Sequence, residues 1–300
     1  MTISMKSLGR LAVMRAVILT LLVIIPSIVY AQIFYKVEGK GMKSPSYIFG
    51  THHLAPLSVL DDIPEVTEAF SESETVVGEI EMSDMAASAL VLQKYMMAPS
   101  DSTLMDIYGK DEFDRLNKEF KKWSGGLDLT FFNQFKPMVA SATVGASMVA
   151  ENLPGVTPGE QLDTYFQTVG VQAGKRVAAL ETIEEQSEFL FNSVSIADQG
   201  KAFKEQLDNP EKSMDEARML NECYFSHDID RLLGATVAES ENPEFFETIL
   251  YKRNSNWLER LPAILEDGPA FIAIGALHLA GPRGVISGLR NMGYEVTPIR

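Results

Sequence analysis

The chain has 300 residues, 46% hydrophobic and 22% charged, enough to bury a full core as one large domain or two small ones. A formal net charge of −15 repels phosphate backbones and anionic lipid surfaces alike, which argues against nucleic acid as a partner. Cys223 is the only cysteine, so no intrachain disulfide can form and stability must come from packing or metal.

The first 31 residues read as a leader. Lys6, Arg10 and Arg15 precede an apolar run from Ala16 to Val29, and Val29-Tyr30-Ala31 places small or modest side chains where a signal peptidase reads. The expectation is a secretory signal cleaved after Ala31. The alternative is an uncleaved anchor, against which stand Pro26 and a run shorter than the roughly 20 residues that span a bilayer. Cleavage shifts the formal charge to −18 and leaves residues 32–300 as a single periplasmic or secreted domain, touching a membrane only through the leader if it is uncleaved.

Tyr47 to Phe49 predicts a strand, Ile63 to Phe70 a short helix with Pro64 near its start, and Thr75 to Ile80 a second strand, a β-α-β unit with parallel character. A long helical middle follows. Phe113, Leu116, Phe120 and Trp123 recur at helical spacing, and the apolar stretch from Phe131 to Val149 predicts a buried helix. Pro154-Gly155 and Pro158-Gly159 mark a loop before a helix around Gln161 to Val171, and Arg176 to Leu180 predicts a strand. From Glu184 to Leu265 the pattern is helical again, broken at Asn209-Pro210 and Asn242-Pro243. Phe271 to Ile274 predicts a strand, Pro282 to Met292 a helix closed by Gly293, and Glu295 to Ile299 a last strand. The fold class expected is α/β, a mixed sheet with flanking helices and a large helical middle region.

Two segments share one design. In Tyr47-Ile48-Phe49-Gly50-Thr51-His52-His53 and in Ile272-Ala273-Ile274-Gly275-Ala276-Leu277-His278, a strand-like run meets a glycine that lets the backbone turn, and a histidine follows three residues later, a GxxH pattern. His53 and His278 lie 225 positions apart, so they act together only if the fold joins both ends of the chain. His52, next to His53 on an extended segment, points the other way and reads as a supporting or surface residue, and His227 reads as solvated. Glu79 interrupts an otherwise apolar strand, where an unpaired carboxylate is expensive, and alternation places Glu81 on the same face. Glu181 ends another strand and is either a second site carboxylate or a cap for the helix beginning near Thr182. Arg253 and Asn254 lie on a helix, where surface pairing is the plain expectation.

These residues carry a resemblance. The two glycine-histidine segments, Val77-Gly78-Glu79-Ile80-Glu81, Leu162-Asp163-Thr164-Tyr165-Phe166, Leu180-Glu181-Thr182 with Glu185-Gln186, and Lys252-Arg253-Asn254 with Trp257 occur in the order seen in the TraB/GumN family. That family is similar to the Tiki metalloproteases of animals and, more remotely, to erythromycin esterases and ChaN-like haem-binding proteins, which implies an α/β fold with its site at one sheet edge. Gly78 departs from the family, which usually has a bulky apolar residue there, and predicts a looser strand around Glu79; Met138 stands where an aromatic residue is common. The resemblance maps the family histidines onto His53 and His278 and its acidic residue onto Glu79.

Two imidazoles and a carboxylate are a familiar donor set for a divalent metal ion such as Mn, Co or Zn, with open positions for water. The leading expectation is metal-dependent hydrolysis of a peptide or other acyl bond, with His53, Glu79 and His278 as ligands or proton-transfer groups. Glu181 would support them, and Arg253 would hold the substrate or oxyanion. One alternative keeps the hydrolase without the metal, with His53 as general base oriented by Glu79. The other is a non-catalytic binding or sequestering protein. The partner expected in each case is a peptide or small molecule.

Overall fold

The computed structural model describes residues 32–82, 85–152, 161–238 and 243–299. The leader, Pro154-Gly155, Pro158-Gly159 and Asn242 lie outside the described residues. In chain order the elements are β1 (Phe34–Glu38), β2 (Ser46–Thr51), α1 (Val59–Asp62), α2 (Pro64–Glu72), β3 (Thr75–Gly78), α3 (Met85–Met96), α4 (Leu104–Trp123) and α5 (Pro137–Asn152). There follow α6 (Leu162–Gln172), β4 (Arg176–Ala179), α7 (Ile183–Asn192), α8 (Ile196–Asp208), α9 (Pro210–Phe225), α10 (Ile229–Ala238) and α11 (Pro243–Phe246). A π-helical turn (Glu247–Lys252) runs into α12 (Arg253–Asp267), then β5 (Ala270–Gly275), a 3-10 turn (Ala276–Leu279), α13 (Val285–Asn291) and β6 (Glu295–Pro298). No helix among the described residues is long and apolar enough to cross a membrane.

The six strands form one mixed sheet in the order β4-β3-β5-β2-β1-β6. β4, β3, β5 and β2 run parallel, so their carboxyl ends reach the same edge. β1, which the apolar pattern did not announce, lies antiparallel between β2 and β6 and pairs the first described strand with the last. The two ends of the chain therefore share a sheet.

Of the parallel strands, β2, β3 and β5 are buried on both faces, which is why they read as continuous apolar runs. Phe49, Val76 and Phe271 share one face, where Phe166 of α6 stacks 5.7 Å from Phe49 and 4.7 Å from Phe271, and Phe70 of α2 sits 5.5 Å from Phe271. Ile48, Val77 and Ile272 occupy the other face, fully buried. The helical middle has an apolar cluster of its own, with Phe113, Leu116 and Phe120 of α4 against Val144 and Met148 of α5 and Phe203 of α8. Phe131 belongs to neither cluster. The helix expected from Phe131 begins at Pro137, and Phe131 stands three-quarters exposed in a 3-10 turn.

Gly78 does not loosen β3. A Cβ there would lie 2.2 Å from Gln167 Nε2, so the space a bulky residue would fill is taken by the Gln167 side chain. Gln167 donates to the Ile80 carbonyl at 2.9 Å and accepts from the Met82 amide at 3.0 Å, fixing the segment on either side of Glu81. Gly78→Val should cost about 1–3 kcal/mol by overpacking. Adding Gln167→Ala to Gly78→Val should cost less than the two single changes together, because one deletion makes room for the other; urea unfolding of the four chains measures the coupling.

Candidate active site

The carboxyl edge of the sheet gathers residues from both ends of the chain and from the helical middle. Glu79 follows β3, Glu181 follows β4, His278 lies in the 3-10 turn after β5, and His52 and His53 follow β2. β3 and β4 are tied at this edge by the Glu181 amide donating to the Glu79 carbonyl at 2.9 Å. The two motif glycines have a role other than turning. A Cβ on Gly50 would sit 2.9 Å from Leu279 Cδ1 and 3.1 Å from Ala276 Cα, so the first motif packs against the second through bare backbone. Gly275 has an ordinary negative φ of −52°, and its amide donates to Glu79 Oε1 at 2.9 Å.

Arg253 is at the centre. The preceding π turn brings it into the core end of α12, where it is 4% exposed, and Asn254 beside it is 1% exposed. The expected surface pairing of Arg253 and Asn254 is thus replaced by burial. The guanidinium donates through Nη2 to Glu79 Oε2 at 2.7 Å and to Glu181 Oε1 at 2.6 Å, through Nε to Glu181 Oε2 at 3.1 Å, and through Nη1 to the Ile249 carbonyl and His278 Nε2, both at 3.1 Å. All five N–H groups are used, so none remains for a substrate oxyanion, and the oxyanion role expected for Arg253 gives way to a positioning one. Glu181 does not cap α7; Thr182 does, in a capping box with Glu185. Instead Glu181 also accepts from Trp257 Nε1 at 3.1 Å and from Gln186 Nε2 at 3.0 Å.

His278 is held as one tautomer. Asn254 Nδ2 donates to the carbonyls of His278 and Arg283, so its Oδ1 accepts from His278 Nδ1–H at 2.6 Å. Nε2 then carries the lone pair that receives Arg253. Trp257 stacks on the ring at 4.2 Å between centroids. Burial pushes the His278 imidazole down to about 3, with Arg253 in the same sense, against the pull of Glu79. Burial opposes ionisation of Glu79, but His278, Arg253 and the Gly275 amide outweigh it and hold the carboxyl at about 2.

His53 stands apart from this cluster. Its side chain is 68% exposed, and Nδ1 lies 3.1 Å from Asp163 Oδ2 at the start of α6. The Asp163 contact raises its pKa, with Glu79 adding to it and Arg253 opposing. His52 Nε2 lies 2.8 Å from Asn221 Oδ1 and its ring 5.1 Å from Tyr224, an anchor for the loop after β2. Glu81 is exposed beyond the strand end. His227 is half-buried in the turn between α9 and α10, with a left-handed φ of 57°.

A metal fits this arrangement poorly. His278 Nε2 and Glu79 Oε1 are 4.0 Å apart, but the lone pair of the first is engaged by Arg253 and the oxygens of the second by Arg253, Gln186 and Gly275. His53 does not join them, and no group of three His, Cys, Asp or Glu side chains among the described residues is placed to hold a metal ion. A guanidinium stands where a cation would. A cavity of about 710 Å³ lies elsewhere, between α5, α8 and α9, lined by Met138, Met148, Gln206 and Met214.

Gln186, Trp257 and Asp163 were not singled out from the sequence and Asn254 was expected at the surface, although each sits inside a motif that carries the family resemblance. Trp257 follows Arg253 by four positions, so a buried Arg253 on a helix signals Trp257 on the same face.

Arg253→Met should lower stability by about 3–5 kcal/mol, since it leaves Glu79 and Glu181 buried without their counter-charge, and Arg253→Lys should not recover it because three donors cannot replace a five-donor fork. Urea denaturation decides both. The histidines set a pH dependence. His278 titrates at about 3 and His52 at about 4 in the fold against 6.5 ordinarily, so the unfolded chain binds protons that the folded one refuses as pH drops below 6.5. Glu79, at about 2 against 4.5, acts with the same sign at lower pH. Thermal melts should show Tm falling from about pH 7 to pH 4, with His53, whose pKa is raised, partly opposing the fall; a flat profile would contradict neutral imidazoles at buried His278 and half-buried His52.

A sequence model of the TraB/PrgY/gumN family matches residues 33–298. The chain is similar to "Metalloprotease TIKI2" of Xenopus tropicalis, 27% identical over 84% of this chain and 57% of that protein, and to "Metalloprotease TIKI1" of Homo sapiens, 27% identical over 84% of this chain and 59% of that one. "Metalloprotease TIKI2" of Danio rerio is 26% identical, with 84% of this chain and 58% of that protein covered. The chain thus spans less than two-thirds of the length of these relatives. No solved structure matches it. With nearly every described residue inside the matched range, the chain belongs to the TraB/PrgY/gumN family.

Proposed function

We propose that the protein is a secreted or periplasmic hydrolase of peptide or other acyl bonds. The observation that carries this reading is His53, an exposed imidazole whose Nδ1 faces Asp163 and whose Nε2 makes no hydrogen bond among the described residues, within the electrostatic reach of a carboxylate, Glu79, held ionised by Arg253. An imidazole with a bare Nε2 is suited to take a proton from water or to hold a metal, and the field of an ionised carboxylate favours either role. Arg253 and Glu181 supply the rigid frame. The location rests on the leader-like residues 1–31.

Metal dependence enters through the relatives, which are named metalloproteases. His53, Glu79 and His278 are the donors such an ion would draw on, and His278 Nε2 is free to serve only once Arg253 Nη1 has left it. The His53–Asp163 contact favours the second reading, in which His53 acts as a general base without metal.

Turnover of a quenched-fluorescence peptide pool and of simple aryl esters tests the hydrolase. His53→Ala and Glu79→Gln should each lower kcat/KM by roughly 10²–10⁴-fold; no turnover of either substrate set, or turnover indifferent to both changes, would sink it. Chelation followed by return of Mn, Co or Zn divides the two mechanisms. Activity lost and restored supports the metal, whereas full activity in metal-free protein leaves His53 as the base.

A further inference from the structure

We infer that Asp163 is a positioning residue for His53: it holds the proton on Nδ1, so that Nε2 is presented to the site as the nitrogen with the lone pair. The inference rests on the hydrolase reading and names the group that orients its imidazole. Asp163 Oδ2 is 3.1 Å from Nδ1, within reach of a hydrogen bond. The ring itself is mostly exposed, so packing does not fix its orientation and a directional partner must.

The plain role for Asp163 is that of an acid in the first turn of α6, where it favours the helix dipole. That role asks for an exposed side chain. Asp163 Oδ1 is instead buried with no hydrogen-bond partner among the described residues, an arrangement that costs about 1–3 kcal/mol and that a solvated carboxylate would avoid. The helix start that carries it is fixed by Leu162 and Phe166, 1% and 2% exposed in the sheet core, so the carboxylate is rigidly aimed. Thr51 Oγ1, two residues before His53, is also buried with no hydrogen-bond partner among the described residues, so neither side of the contact is arranged for stability alone.

The second motif repeats the device. There Asn254 Oδ1 accepts from His278 Nδ1–H at 2.6 Å and leaves Nε2 as the acceptor. Both motif histidines therefore meet an oxygen at Nδ1. They differ in what lies beyond: Arg253 occupies Nε2 of His278, whereas Nε2 of His53 has no hydrogen-bond partner among the described residues.

Nitrogen-15 spectra of the protein with labelled histidine rings, recorded where the rings are neutral and assigned with His53→Gln, read the tautomer directly. The expected wild-type pattern for His53 is a protonated Nδ1 and a bare Nε2. Asp163→Leu should move the proton to Nε2 and lower kcat by about 10- to 100-fold with little change in KM, while leaving the His278 signals in place. Asp163→Asn, which keeps the shape but can turn either an oxygen or an amide to the ring, should give a mixture and an intermediate kcat, and it serves if the leucine variant fails to fold. A wild-type His53 protonated on Nε2, or one whose tautomer ignores both substitutions, overturns the inference whatever the activity. A tautomer that follows Asp163 in a protein without hydrolytic activity upholds the inference and rejects the hydrolase.

Discussion

One guanidinium organises the sheet edge. Arg253 spends its five donors on two carboxylates, a carbonyl and an imidazole, and these partners arrive from β3, β4, the π turn and the turn after β5. Two carboxylates buried side by side would repel strongly; a planar fork between them converts the repulsion into a fixed geometry. Trp257 completes the unit, stacking on His278, donating to Glu181 and lying 4.9 Å from the guanidinium carbon. The ends of β3, β4 and β5 are thus referred to one side chain on α12.

This arrangement divides the site into a rigid interior and an accessible rim. Glu181, Arg253, Asn254 and His278 are buried and fully engaged, which suits them to hold charge and orientation rather than to meet a substrate. Glu79 is the link, 18% exposed in its side chain and bonded inward through both oxygens. His53 is the outward member. Paired histidines in matching motifs therefore end in unequal surroundings, one clamped and one open, and the asymmetry comes from the residue each meets past Nε2.

Much of the fold was legible because it depends on periodicity. The apolar strands after Tyr47, Thr75 and Phe271, the helices at Pro64 and Pro210 and the last helix-strand pair appear close to where the sequence places them. β1 escaped notice because five residues with a lysine in the middle make a weak pattern, and its identity is set by β2 and β6 on either side. The start of α5 was misplaced since Phe131 and Phe132 are apolar without being helical. In the site, the sequence announced a carboxylate needing a partner at Glu79 but not which partner. Arg253 is an ordinary helical arginine until the fold buries it, and Gly78 is a defect until Gln167 fills its space. Long-range pairing of this kind leaves no local trace.

The position of β5 has a consequence for synthesis. It lies between β3 and β2 and is hydrogen-bonded to both, yet it occupies residues 270–275 of a 300-residue chain. Until those residues leave the ribosome, the earlier strands have no central neighbour to join and nothing for their apolar faces to close upon. The sheet can be completed only once β5 has joined β2 and β3, strands made far earlier in the sequence, so its closure waits on contacts between distant parts of the chain.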